Sequence, residues 1–164
     1  MPANHNRRQF VQTTATAVGA ALLPRGVSDA PPAAKIEIWD SHCHLGRNTN
    51  SPKQHAADLI RVGRRLGITR FTIAMGLTPH LPNPKPPEFR QKNDDMMAAL
   101  DAFPEQLIGL VFINPLHPAA SLAEIDRCLK HPRVVGLKLW IACRCNDPRL
   151  DPIFTAAGEL NMVM

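Results

Sequence analysis

The stretch Lys35-Ile36-Glu37-Ile38-Trp39-Asp40-Ser41-His42-Cys43-His44 decides how this chain is read. Alternation of apolar and polar residues marks a strand over about 35–40, and two histidines spaced by one residue follow where it ends. Regular strand phase puts Ile36, Ile38, Asp40, His42 and His44 on one face. Both imidazoles then point the same way and can reach one divalent ion, with Asp40 placed as an acceptor that orients a ligand. Cys43 points oppositely and is expected to pack. An isolated His-x-His is more often a pair of loop histidines in ordinary hydrogen bonds. The end of a strand is a different setting, because metal and catalytic groups of β/α barrels gather there.

Working outward, short apolar runs alternate with amphipathic segments, the pattern of repeated β/α units around a parallel sheet. Ser51-Pro52-Lys53-Gln54 reads as a capping box with proline at the first helical position. In the helix that follows, Ala56, Leu59, Ile60, Gly63 and Leu66 share a face and Gly67 is suited to a left-handed stop. Phe71–Met75 is the second strand, and the proline-rich stretch Thr78–Pro87 is expected to be irregular. Phe89, Asn93, Met96, Met97, Leu100 and Phe103 recur at helical spacing before a third strand over Leu107–Ile113. Ser121 with Glu124 suggests another capping box, ahead of Leu122, Ile125, Cys128 and Leu129, and His131-Pro132 closes that helix. Val134–Trp140 is a fourth strand, Asp151-Pro152 opens a fourth helix, and Met162-Val163-Met164 reads as the start of a fifth strand.

Four units and the opening of another amount to about half of the roughly 250 residues of a (β/α)8 barrel. The chain is therefore expected to be the N-terminal half of such a barrel, with an exposed edge prone to self-association. A small open α/β sheet is the alternative, but no Gly-x-Gly-x-x-Gly or phosphate loop follows any strand, so a nucleotide-binding version has no support.

Composition narrows the function classes. With 164 residues, 45% hydrophobic and 20% charged, the chain is too apolar for disorder and has room for a real core. The formal charge of +5 is partly owed to Arg7, Arg8 and Arg25, which face only Asp29 in the first 34 residues, so the mildly basic remainder does not argue for nucleic acid. Phe10–Pro24, the longest low-charge run, is too short and too polar to span a membrane. Asn6-Arg7-Arg8-Gln9-Phe10-Val11, a weakly apolar run and Ala30-Pro31-Pro32-Ala33-Ala34 together resemble a twin-arginine export signal over residues 1–34, which implies a periplasmic or other extracytoplasmic location. The body is then 35–164. That export route carries proteins already folded, so an inserted metal is in keeping with it. The four cysteines, Cys43, Cys128, Cys143 and Cys145, match neither a redox pair nor a zinc ribbon and are expected to be buried free thiols.

Ile38-Trp39-Asp40-Ser41-His42-Cys43-His44-Leu45-Gly46 resembles the opening strand of the amidohydrolase superfamily, in the amidohydrolase-related branch that includes aminocarboxymuconate-semialdehyde decarboxylase. Asn93, Leu100, the run Leu107–Pro115 and Val134-Val135-Gly136-Leu137-Lys138-Leu139 match that branch in order. The resemblance covers about Lys35 to Met164. It implies a distorted (β/α)8 barrel with one or two divalent metals, usually zinc, in which His42 and His44 are the first-strand ligands. The histidines of the fifth and sixth strands and the aspartate of the eighth would lie beyond Met164, so the catalytic acid and base have no candidate here.

Strand phase turns Gly136, Lys138 and Trp140 to the interior and Val135, Leu137, Leu139 and Ile141 to the helices. By the same resemblance, Lys138 sits where binuclear members carry a carboxylated, metal-bridging lysine; a substrate-facing role is the other reading. Trp140 is a pocket wall or core. His55, His80, His117 and His131 are expected to be solvated, although His80 and His117 lie on the loop side and could touch substrate.

The resemblance implies a metal-dependent hydrolase that uses activated water on an amide, ester or lactone carbonyl of a small molecule. Decarboxylation by the same site is the alternative. A metallophosphoesterase also begins Asp-x-His-x-His, though the Gly136-Leu137-Lys138-Leu139 strand speaks against it, and a noncatalytic half-barrel that only self-associates is the reading from another class.

Overall fold

In the computed structural model, which describes residues 36–45, 51–75, 83–140 and 142–164, helices alternate with strands throughout. The elements are β1 (Ile38–His44), α1 (Pro52–Arg65), β2 (Ile68–Ala74), α2 (Pro86–Ala102), β3 (Leu107–Ile113), α3 (Pro118–Cys128), β4 (Val134–Leu139), a 3-10 turn (Pro148–Leu150) and α4 (Asp151–Glu159). All strand pairs are parallel, in the order β1-β2-β3-β4. This is the order of the first four units of a (β/α)8 barrel. Residues 1–34, and with them the export signal and the domain boundary, lie outside the described residues, as do His80 and Ile141.

One sheet face is covered by helices. Phe71, Ile73, Val111, Ile113 and Leu137 are buried there against Ala56, Ile60, Met96, Leu100 and Ile125. Each large side chain so buried contributes about 1.5–3 kcal/mol relative to exposure. Met97 packs only partly against this core, and Leu66, expected on the buried face of α1, is 69% exposed because it already belongs to the turn that leaves the helix. Gly67 supplies that turn at φ +79°, a conformation that costs other residues.

Several local expectations are corrected. Pro86 and Pro87 do not belong to the irregular loop. They occupy the first turn of α2, where their missing N–H groups have no intrahelical acceptor anyway, and the Glu88 carboxylate accepts from the Lys85 N–H at 2.6 Å. Ser121 and Glu124 form no capping box, because α3 starts earlier, at Pro118, and both side chains lie inside it and buried. Ser121 Oγ instead donates to the Asn114 carbonyl at 2.8 Å. The last helix opens at Asp151-Pro152 as expected, and it is preceded by the 3-10 turn, which Asp147 caps through the Arg149 N–H. Strand β1 runs on through His44, and β2 begins at Ile68. In place of the expected fifth strand over Met162–Met164 there is a single parallel bridge, from Val163 to Gly136, and the Val163 carbonyl accepts from the Leu137 N–H at 2.8 Å. Of the thiols, Cys43 and Cys128 are buried as expected, but Cys143 is only half-buried and Cys145 is exposed.

Candidate metal centre

Strand β1 is not regular. Asp40 aligns with Phe71 and Cys43 with Ile73, so three residues of β1 advance against two of β2, an irregularity of the kind that re-aims side chains near functional sites. Phe71 and Ile73 both point into the helix layer, and the shift sends Asp40 and Cys43 to that same side. Asp40 therefore leaves the face on which regular phase places it with the histidines. Its carboxylate accepts from the Cys43 thiol and, at 3.1 Å, from the His42 backbone N–H. These bonds hold it below its ordinary carboxylate range, while burial and the Asp40 charge push the Cys43 thiol up to about 12. Asp40 thus fixes His42 through the main chain rather than through the ring.

The histidines converge on the other face. His42 Nε2 and His44 Nε2 are 3.0 Å apart, their rings edge-on with centroids at 5.0 Å. His44 Nδ1 lies 3.1 Å from the Ala74 carbonyl at the end of β2, and a carbonyl can only accept, so the proton sits on Nδ1 and the Nε2 lone pair faces His42. Burial first, then the nearby His42 and Lys138 charges, hold His44 below the ordinary histidine range, which favours its neutral form. Lys138 Nζ, from β4, stands 3.4 Å from His42 Nε2. Three nitrogens from the two outer strands β1 and β4 thus meet at the C-terminal ends of the strands, as the sequence leads one to expect.

The donor set suits a divalent ion. Metal–imidazole bonds of about 2.1 Å allow one ion to reach two nitrogens up to roughly 4.2 Å apart, and a neutral ring fixed by a carbonyl on its other nitrogen is the form a metal takes. Among the described residues no third His, Cys, Asp or Glu joins the pair. A cavity of about 390 Å³ opens beside it, walled by Thr72, Ala74, Leu110, Leu137 and Lys138. Trp140 is half-buried, its ring edge-on to Phe112 at 5.8 Å. Among the described residues the other histidines are not part of this cavity's lining: His117 stands at the N-terminal boundary of α3 with its Nε2 buried, and His131 Nε2 is 3.2 Å from Asp101. Residues that sequence reasoning passed over are Thr72 and Ala74, whose only signal was their phase at the end of β2.

A family model described as amidohydrolase matches residues 39–164. The chain belongs to the amidohydrolase family. The phosphoesterase reading is set aside with that match. The amidohydrolase fold is seen in solved structures of low identity. One is 5-carboxyvanillate decarboxylase from Sphingomonas paucimobilis, 18% identical with a TM-score of 0.57, covering 77% of this chain and 50% of its own. Another is 5-carboxyvanillate decarboxylase from Novosphingobium aromaticivorans, in complex with manganese and 4-hydroxy-3-methoxy-5-nitrobenzoic acid, at 18% and 0.55, covering 79% and 49%. A third is 2,6-dihydroxybenzoate decarboxylase from Rhizobium, at 13% and 0.54, covering 77% and 48%. This amidohydrolase chain spans about half the length of the solved structures it matches.

Proposed function

We propose that this chain is the first-strand side of a metal-dependent decarboxylase site for a small organic acid, with His42 and His44 as two ligands of a divalent ion. The observation that carries the reading is the 3.0 Å approach of two imidazole nitrogens, one with its tautomer set by the Ala74 carbonyl. When bound, the ion supplies positive charge that polarises a substrate oxygen. The Ala74 carbonyl holds His44 through Nδ1 and leaves Nε2 to ligate, Asp40 holds the His42 main chain in place, and Lys138 adds an ammonium at the cavity wall. Decarboxylation rather than hydrolysis is favoured by the three solved neighbours named above, which are 5-carboxyvanillate and 2,6-dihydroxybenzoate decarboxylases. Manganese is the metal of one neighbour, and zinc is equally compatible with imidazole donors. Hydrolysis of an amide, ester or lactone is the second reading, supported by the family description.

Competition titrations with Zn²⁺ and Mn²⁺ test the site. His42→Ala and His44→Ala should each weaken binding at least tenfold; unchanged affinity in both would remove the metal assignment. The two reactions are separated by ligand class: the loaded chain should bind hydroxybenzoates and not neutral lactones. Export is proposed on Arg7 and Arg8. If a folded-export reporter fused to residues 1–40 still crosses with both arginines changed to lysine, that proposal fails.

A further inference from the structure

We infer that Lys138 is the anchor for the carboxylate group of the ligand, so that the site selects organic anions by charge before any chemistry occurs. The inference rests on the metal reading of His42 and His44 and adds a role for a residue that reading does not require. Among the described residues, the cavity lining holds one formally charged side chain, Lys138, and no aspartate or glutamate. None of the ion pairs among the described residues involves Lys138. The nearest acid in sequence to the histidines, Asp40, is committed to the Cys43 thiol and the His42 N–H on the other side of β1.

The half-buried Lys138 ammonium stands at the cavity beside Ala74, Ile108 and Leu110, and a divalent ion a few ångströms away would add charge of the same sign. No acidic side chain among the described lining residues offsets it, which leaves that role open to an anionic ligand. A carboxylate fits: one oxygen can accept from the Lys138 Nζ while the organic remainder lies on the apolar walls. Lysine is a compact, rotatable point charge, so it grips a single oxygen without imposing the two-pronged geometry of arginine.

The inference is tested on the full 164-residue chain by calorimetric titration with benzoate, its neutral isostere benzamide, and inorganic phosphate, each with and without Mn²⁺. Benzoate should bind at least tenfold more tightly than benzamide, Lys138→Met should lose about tenfold in benzoate affinity, and Lys138→Arg should recover most of it. Mn²⁺ affinity measured without benzoate should survive Lys138→Met, whereas His42→Ala removes it, so failure of the metal reading and failure of this one give different patterns. Three results would overturn the anchor: equal benzoate affinity in wild type and Lys138→Met, tighter binding of phosphate than of benzoate, or a lysine carbamate resonance in ¹³C-bicarbonate that vanishes in Lys138→Met. In the last case the side chain is a metal bridge.

Discussion

Asn93 satisfies both backbone polar groups of Phe112: its Oδ1 accepts from the Phe112 N–H at 2.8 Å, and its Nδ2 donates to the Phe112 carbonyl at 2.9 Å. The β2–β3 ladder ends at Ala74 and Leu110, so this fully buried side chain of α2 continues the hydrogen bonding where β2 no longer reaches. Its second Nδ2 proton goes to Glu124 at 3.0 Å, which Arg127 also holds, through Nη2 at 2.5 Å and Nε at 3.0 Å. The end of β3, and with it the strand that pairs with Lys138, is set by this network.

Asn93→Leu keeps the volume and removes every partner, leaving an N–H, a carbonyl and a carboxylate oxygen short of a bond in the interior. Unmade buried bonds cost about 1–3 kcal/mol each, so a loss of roughly 2–5 kcal/mol is expected from denaturant midpoints. A change below about 0.5 kcal/mol would show that Phe112 is held by something else.

Glu124 carries a pH dependence. Burial pushes its carboxyl up, but hydrogen bonds from Arg127 and Asn93 outweigh that and leave it below its ordinary value of 4.5. A group depressed in the fold stabilises it fully above the unfolded value and loses that contribution as pH falls through the folded one. The advantage of wild type over Glu124→Gln should accordingly be constant from pH 6 to 8 and shrink on acidification below about 4.5. An advantage that instead grows toward low pH would reverse the sign.

A side chain at Gly136 has nowhere to go. Its Cβ would overlap the Val163 carbonyl and Cγ2, and would stand 2.9 Å from Leu110 Cδ2. Gly136→Val should therefore dislodge Val163 and speed hydrogen exchange of the Leu137 amide, now bonded to the Val163 carbonyl, by at least tenfold, with little change at the β1–β2 ladder.

Thiol labelling should report burial in order. Cys145 should react at once with a disulfide reagent in the native chain, Cys143 more slowly, and Cys43 and Cys128, both raised to about 12, only on unfolding. Native-state labelling of Cys43 would mean that β1 opens readily.

Most of the architecture was legible because parallel strands and their helices bury long apolar runs, and Leu107–Ile113 was bounded to the residue. The histidine pair was legible for the same periodic reason. What misled was local: the alternation of β1 breaks between Asp40 and Cys43, and no composition signal marks such an irregularity. Ser121-x-x-Glu124 matched a cap while serving a buried network, because the same residue types satisfy backbone groups inside a packed helix when a tertiary partner exists. Asn93, read as one position of an apolar stripe, could have been flagged as the polar residue there.

The displacement of Cys43 into the helix layer has a consequence for which ions the chain can discriminate. Its sulfur, the softest donor near the two imidazoles in sequence, is turned into the core beside Asp40, so the converging atoms described at the site are all nitrogen. Thiophilic ions such as copper(I), cadmium or mercury therefore gain no advantage from this strand, and the contest is left to the borderline divalent ions that imidazole accepts. An irregularity of one residue in a backbone ladder thus acts as a filter on the periodic table.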